Sequence, residues 1–272
     1  MREQKLEFAQ PSTTSRILDI QDLTMLFGGL RAVSDFTMAV PEGGLYGLIG
    51  PNGAGKTTVF NMVTGIYQPT EGSILLDGVE LGCLPPHAIT RLGVARTFQN
   101  IRLFQNLSVL DNVRIAYHTH AGYHLIEAIG RLGRYEARDR ALTEQAQDLL
   151  AVFGLVDRQQ ELAKNLPYGE QRRLEIARAL ALEPRLLLLD EPAAGMNPTE
   201  SESLMELIHF VRERYRLTIL LIEHQMRVVM GICEWITVMD FGQVIARGTP
   251  GEIQSDARVI EAYLGKRSMR ER

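Results

Sequence analysis

Leu45–Phe60 reads "LYGLIGPNGAGKTTVF". Its first five residues are apolar and suit a short strand. Gly50, Gly53 and Gly55 then form a glycine-rich turn, and a helix starts near Lys56. Within this stretch "GPNGAGKTT" (Gly50–Thr58) fits G-x-x-x-x-G-K-[ST] in the strand–loop–helix setting the motif requires. The glycines let backbone N–H groups turn inward around phosphate oxygens, a nest at a helix N-terminus. Gly50, Pro51, Asn52, Gly53, Ala54, Gly55, Lys56, Thr57 and Thr58 are therefore the candidate phosphate site. Lys56 is placed to reach the β- and γ-phosphates, and the Thr57 hydroxyl to bind Mg²⁺.

Outward from this loop the chain keeps an α/β texture. "ILDIQDLTMLF" and "RAVSDFTMAV" read as strands joined by Gly28-Gly29, and "GSILLDG" as a further strand between turn signals. From Gln99 the pattern changes, and Asp111 to Phe153 is mostly helical, with "RYEARDRALTEQAQDLLAVF" the clearest amphipathic piece. Strand–helix alternation resumes at "RLLLLDEP", continues through "LTILLIEH" and closes with "CEWITVMDFGQVIARG". The leucines Leu186–Leu189 suit a strand covered on both faces, as in a parallel sheet. "NLPYGEQRRLEIARAL" (Asn165–Leu180) reads as a helix with Leu174, Ala177 and Ala181 on one face and Arg172 and Arg178 elsewhere.

Four further positions carry chemistry. Asp190 stands at a strand's carboxyl end, where α/β sheets collect ligands, and a carboxylate there suits Mg²⁺. Glu191 follows and is placed to orient or deprotonate an attacking water. Glu223 and His224 end another buried strand, making His224 a candidate γ-phosphate contact, and the neutral amide of Gln99 can bind Mg²⁺ or water at a hinge.

Bulk composition limits the alternatives. A chain of 272 residues with 45% hydrophobic content holds a substantial core. A formal charge of −4 gives no support to nucleic acid as the main ligand. Cys83 and Cys233 make no disulfide framework, which suits a reducing compartment. No apolar run approaches the roughly 20 residues that span a bilayer, and the start lacks the apolar middle of a secretory signal. The expectation is a cytoplasmic chain whose link to a membrane runs through a partner.

The phosphate loop, Gln99, "YGEQRR", "LLLLDEP" and His224 occur in the order found in ATP-binding cassette proteins, and the resemblance covers essentially everything after a polar tail. It implies a RecA-like P-loop NTPase core (17–98 and 181–272) with an N-terminal antiparallel β subdomain, preceded by a tail (1–16). An inserted α-helical subdomain (99–180) completes that picture. It further implies that two cassettes sandwich two ATPs head to tail, so that Tyr168, Gly169 and Glu170 face the nucleotide of the partner, a homodimer mate or a paralogue. Phe27 matches the aromatic that stacks on adenine. "FGGLRAVSDF", "ARTFQNIRLFQNLSVLDNV", "LDEPAAGMNP", "LIEHQM" and "GTPGEI…VIEAYLG" look like the larger ATP-binding subunit of bacterial branched-chain amino acid importers. Such a subunit works at the cytoplasmic face of the inner membrane with two permeases and, indirectly, a periplasmic solute-binding protein. The lipopolysaccharide-export ATPase is related, though so long a helical insertion is not expected there. From another class, a cassette acting on nucleic acid or ribosomes would carry long coiled coils or fused cassettes, and a nucleotide kinase would pass phosphate to a small acceptor.

Departures from the family pattern matter. Leu-Ser-Gly-Gly-Gln is here Leu166-Pro167-Tyr168-Gly169-Glu170, and Pro167 has neither hydroxyl nor N–H. Asn197 replaces a common aspartate and, with Pro198 and Glu200, fits a helix cap. "DFG" at Asp240–Gly242 reads as a turn between strands rather than a kinase element. His118, His120 and His124 lack cysteine partners and are read as surface positions, and the basic "GKRSMRER" as a solvated end.

Overall fold

The structure, a computed structural model, describes residues 15–119 and 134–268, with side chains described for 15–119 and 137–263. It divides into two compact units, Met1–Pro86 with Leu217–Arg272, and His87–Arg216. The 99–180 segment expected as an insertion lies wholly within the second.

In the first unit, β1 (Arg16–Phe27) and β2 (Leu30–Pro41) form the antiparallel pair expected from the Gly28-Gly29 turn. Gly28 takes φ 57, a conformation that suits glycine in so tight a connection. β4 (Glu71–Leu76) pairs with β1, and β5 (Val79–Glu80) with β4, giving the order β2-β1-β4-β5. Alternation along β1 buries Leu18 and Ile20, and an irregularity at Asp22 (φ 46) shifts the register so that Leu23 is buried as well. A second set of strands is built on β3 (Leu45–Ile49), buried along its whole length. It runs parallel to β8 (Thr218–Ile222), with Leu48 opposite Ile222, and parallel to β9 (Trp235–Asp240), with Ile49 opposite Val238. Every residue of β3 and of β8 is buried, so both faces of each strand are covered, which explains why "LYGLI" and "TILLI" read as unbroken apolar runs. β9 turns at Phe241 (φ 45) and Gly242 (φ 81) into antiparallel β10 (Gln243–Gly248), so "DFG" is the last residue of β9 followed by a two-residue hairpin turn. Helix α1 (Lys56–Val63) follows β3 directly.

The second unit opens with α2 (Pro86–Arg91), whose first residue ends the other unit, and with β6 (Val94–Arg96). β6 lies parallel to β7 (Leu186–Asp190), Val94 opposite Leu186. The four leucines of β7 are fully buried. Helices α3 (Val109–His118), α4 (Arg134–Val152) and α5 (Tyr168–Leu180) bury Val113, Leu149, Leu150, Leu174 and Ala177. Ser108 caps α3 by accepting the Asp111 N–H at 3.0 Å. The expected helix from Asn165 begins at Tyr168, because Ala163–Asn165 forms a separate tight turn before Pro167. Helix α6 (Pro198–Tyr215) carries a reciprocal capping box between Asn197 and Glu200, with Pro198 in its first turn. The remaining described helices, α7 (Met226–Ile232), α8 (Pro250–Ser255) and α9 (Ala257–Ser268), belong to the first unit. Among the described residues no helix is long and apolar enough to cross a membrane. His120 and His124 lie outside the described residues, as do 1–14 of the tail.

Candidate functional site

Strand β3 delivers Gly50 at its carboxyl end, and the loop that follows is wound by positive φ at Gly50 (149), Gly53 (83) and Gly55 (99). Gly55 is the left-handed cap of α1, which has no side-chain cap, so its first-turn N–H groups are presented by backbone alone. A Cβ at Gly50 would overlap the Met239 carbonyl oxygen, and one at Gly55 would stand 2.7 Å from that of Ala32. A Cβ added at Gly53 would meet nothing within 4 Å. The loop is thus closed against β2 and β9 and open on the Gly53 side. The Gly242 N–H donates to Ala54 O at 3.1 Å and the Ser34 N–H to Gly242 O at 2.9 Å, fixing it from behind. Lys56 is buried, and its ammonium donates to the carbonyls of Gly50 (2.8 Å) and Pro51 (3.0 Å). A cationic group is thus held against the loop by two of its own carbonyls. Thr57 is exposed and Thr58 half-buried.

Because β8 runs parallel to β3, residues following Ile222 leave at the same end of the strands as the loop does. Glu223 is fully buried and accepts the N–H groups of His224 (2.9 Å) and Gln225 (3.1 Å) on one carboxylate oxygen. It therefore shapes the turn that carries the exposed His224. Phe27 is 40% exposed and meets Tyr67 edge-on, with centroids 5.2 Å apart. Tyr263 of α9 has its hydroxyl closed off beside Gly50 and Asp240; burial, helped by the Asp240 charge, pushes its pKa to about 12.

The second unit holds the carboxylates. Asp190 ends β7, and Glu191 takes φ 48, a left-handed conformation costly for a side chain of this size and common where function demands it. The two successive carboxylates have different partners. Asp190 is buried and bonded to Arg96 at 2.7 Å, whereas Glu191 is half-buried and accepts from Gln99 Nε2 at 2.8 Å. The Gln99 amide is thereby oriented, leaving Oε1 as its side-chain acceptor.

Tyr168, Gly169 and Glu170 open α5 behind Pro167, with no side-chain cap. Tyr168 is 46% exposed, and Glu170 pairs with Arg158 at 3.1 Å. Arg172, expected off the apolar face, is instead fully buried. Its guanidinium donates to Phe98 O (2.6 Å), Gln99 O (2.8 Å), Glu175 Oε2 (2.9 Å) and the Tyr168 hydroxyl (3.1 Å). Glu175 in turn accepts the Arg102 N–H at 3.0 Å. A planar fork with five donors suits this task, since it satisfies two carbonyls and a carboxylate together. Through it, the first residue of α5 and the Gln99–Glu191 contact are parts of one hydrogen-bonded chain. The sequence hint was only the i,i+3 spacing of Arg172 and Glu175. Arg96 and Tyr263 gave none.

Comparison with known proteins bears on the same residues. The family pattern described as ABC transporter matches residues 33–194, which span the phosphate loop, Gln99, α5 and both carboxylates. This chain belongs to the ABC transporter family. Residues 243–268 match a second pattern, the branched-chain amino acid ATP-binding cassette transporter. The high-affinity branched-chain amino acid transport ATP-binding protein BraF of Pseudomonas aeruginosa is 46% identical over 92% of this chain and 98% of its own. LivG of Escherichia coli, of the same description, is 44% identical over the same shares. The lipopolysaccharide export system ATP-binding protein LptB of Haemophilus influenzae is 33% identical, again over 92% and 98%. In structure, the ADP conformation of MJ1267, an ATP-binding cassette of an ABC transporter, superimposes with a TM-score of 0.79 at 26% identity. That match covers 93% of this chain and all of the other. The cassette is thus an ATP-binding ATPase with the P-loop NTPase fold of its relatives.

Proposed function

We propose that this cassette is the ATP-hydrolysing motor subunit of a branched-chain amino acid importer. The observation that carries the reading is the full-length likeness to BraF and LivG, together with the family-specific match over 243–268. Likeness to the lipopolysaccharide-export protein is weaker, at 33%.

The site residues supply the steps. Inward N–H groups of Gly50–Thr58 and the Lys56 ammonium hold the phosphates. His224 is a γ-phosphate contact and Phe27 a stacking face for adenine. Glu191 takes a proton from the attacking water as the γ-phosphorus gains that oxygen and the bond to ADP breaks. The Gln99 hydrogen bond holds the Glu191 carboxylate in one orientation. Thr57, Gln99 Oε1 and Asp190 each offer a hard oxygen donor of the kind Mg²⁺ takes, and in this reading they are its ligands. When bound, it supplies charge neutralisation on the β- and γ-phosphate oxygens.

A second cassette, homodimer mate or paralogue, completes the γ-phosphate site through Tyr168, Gly169 and Glu170. Support comes from the α5 N-terminus, whose backbone donors lack a side-chain cap and whose Tyr168 is exposed. The cassette sits at the cytoplasmic face of the bacterial inner membrane, and two integral-membrane permeases, with a periplasmic solute-binding protein, carry the amino acid. Co-purification from native membranes tests this: two permeases and leucine-class uptake in reconstituted vesicles support it. Ribosomes or nucleic acid in their place, or uptake unaffected by Lys56→Ala, contradicts it.

A further inference from the structure

Asp190 and Arg96 end neighbouring parallel strands, β7 and β6. Their charged atoms meet at 2.7 Å with side chains only 4% and 5% exposed. The guanidinium also lies 5.0 Å over the Phe98 ring. The backbone around the pair is held as well: the Asp190 N–H donates to Thr97 Oγ1 at 3.3 Å, and the Thr97 N–H to Leu188 O at 2.9 Å. A buried carboxylate without a cation is costly, and arginine stays charged at every accessible pH. The pair is therefore close to neutral before any metal arrives.

We propose that Arg96 is a positioning residue that occupies Asp190 Oδ2 and competes with the divalent cation for this carboxylate, keeping metal binding weak enough to reverse. The inference rests on the assignment of Asp190 to Mg²⁺. It follows from the charge balance. With Arg96 present, an incoming divalent ion meets a carboxylate already matched by one positive charge. Without Arg96, the same ion meets a lone buried anion, and its attraction is stronger in that low-dielectric setting. Phe98 contributes by giving the guanidinium a face to rest on, so the fork stays on Asp190 rather than swinging away.

The test uses the full-length chain saturated with ADP, and Mn²⁺ as the probe, followed by the loss of its free-ion spin-resonance signal. Arg96→Met keeps the length of the side chain and removes the charge. Mn²⁺ binding about tenfold tighter than in the unaltered chain supports the proposal. The same variant should melt earlier without metal and regain more of its melting temperature on adding Mn²⁺. Unchanged or weaker Mn²⁺ binding overturns it. Asp190→Asn separates the two ideas: if that variant binds Mn²⁺ normally, Asp190 is not the metal carboxylate. If it loses Mn²⁺ while Arg96→Met is unaltered, only the role of Arg96 fails. Should Arg96→Met not fold, Phe98→Leu keeps the charge but loosens it. Tightening of about two- to threefold then supports the proposal, and no tightening contradicts it.

Discussion

Gln99 Nε2 donates to Glu191 Oε2 at 2.8 Å, and this contact joins the loop after β6 to the residue after β7. Glu191 makes it from a left-handed backbone conformation (φ 48), while the preceding Asp190 bonds to Arg96. Gln99 is held from its other side by Arg172, which binds the Gln99 carbonyl. A hydrogen bond to an ionised carboxylate contributes about 1.5–3 kcal/mol. Gln99→Leu should therefore lower kcat for ATP hydrolysis by roughly ten- to a hundredfold, with KM for ATP changed less than about threefold. Steady-state phosphate release decides it; an unaltered kcat would show that Glu191 needs no partner.

The buried Arg172–Glu175 pair gives a second prediction. Removing one member strands the other, at a cost of about 3–5 kcal/mol. Arg172→Met alone should show a loss of that size in urea unfolding. Arg172→Met with Glu175→Leu should be less destabilised than the sum of the single variants. Full recovery is not expected, because the Phe98 and Gln99 carbonyls also lose their donor. Strict additivity of the two single variants would deny the pair.

The phosphate-loop glycines differ in kind. A methyl at Gly50 collides with the Met239 carbonyl, so Gly50→Ala should destabilise by about 3 kcal/mol or more and abolish nucleotide binding. Gly53→Ala meets open space and bears only the left-handed penalty of about 1 kcal/mol. Unfolding midpoints and binding of a fluorescent ATP analogue should rank the two in that order. Equal effects would mean that the close approach of β9 to the loop is unimportant.

Which parts could be read from sequence follows from how local each determinant is. β3, the phosphate loop and α1 are specified by adjacent residues, as are the β1–β2 turn and the Asn197 cap, and all were legible. So was the full burial of β7, since a strand lined on both faces must be apolar throughout. The burial of Arg172 was not, because polarity alone places arginine on a surface and only the arriving carbonyls of Phe98 and Gln99 make an interior position tolerable. Likewise Arg96 and Asp190 are 94 residues apart and meet only once β6 and β7 pair. The two histidines His120 and His124 fall outside the described residues.

Cys233 is buried against Gly47, and burial first, then the charges of Glu223 and Glu234, pushes its thiol from 9.0 to about 12. The unfolded thiol ionises first as pH rises. The stabilising contribution is therefore whole below pH 9.0 and fades between 9.0 and about 12. Cys83 is exposed. A thiol-reactive dye at pH 8 should label Cys83 in one fast phase and reach Cys233 only on unfolding. Two fast equivalents in the folded protein would contradict the burial.

The central claim is that Glu191 activates the water that cleaves ATP, and Glu191→Gln tests it most directly because shape is kept while basicity is lost. ATP retention and turnover should be measured on the same purified variant. If Glu191 is the base, ATP affinity stays within about threefold of the unaltered chain while kcat falls at least about a hundredfold. Hydrolysis at the unaltered rate would remove Glu191 from the chemistry.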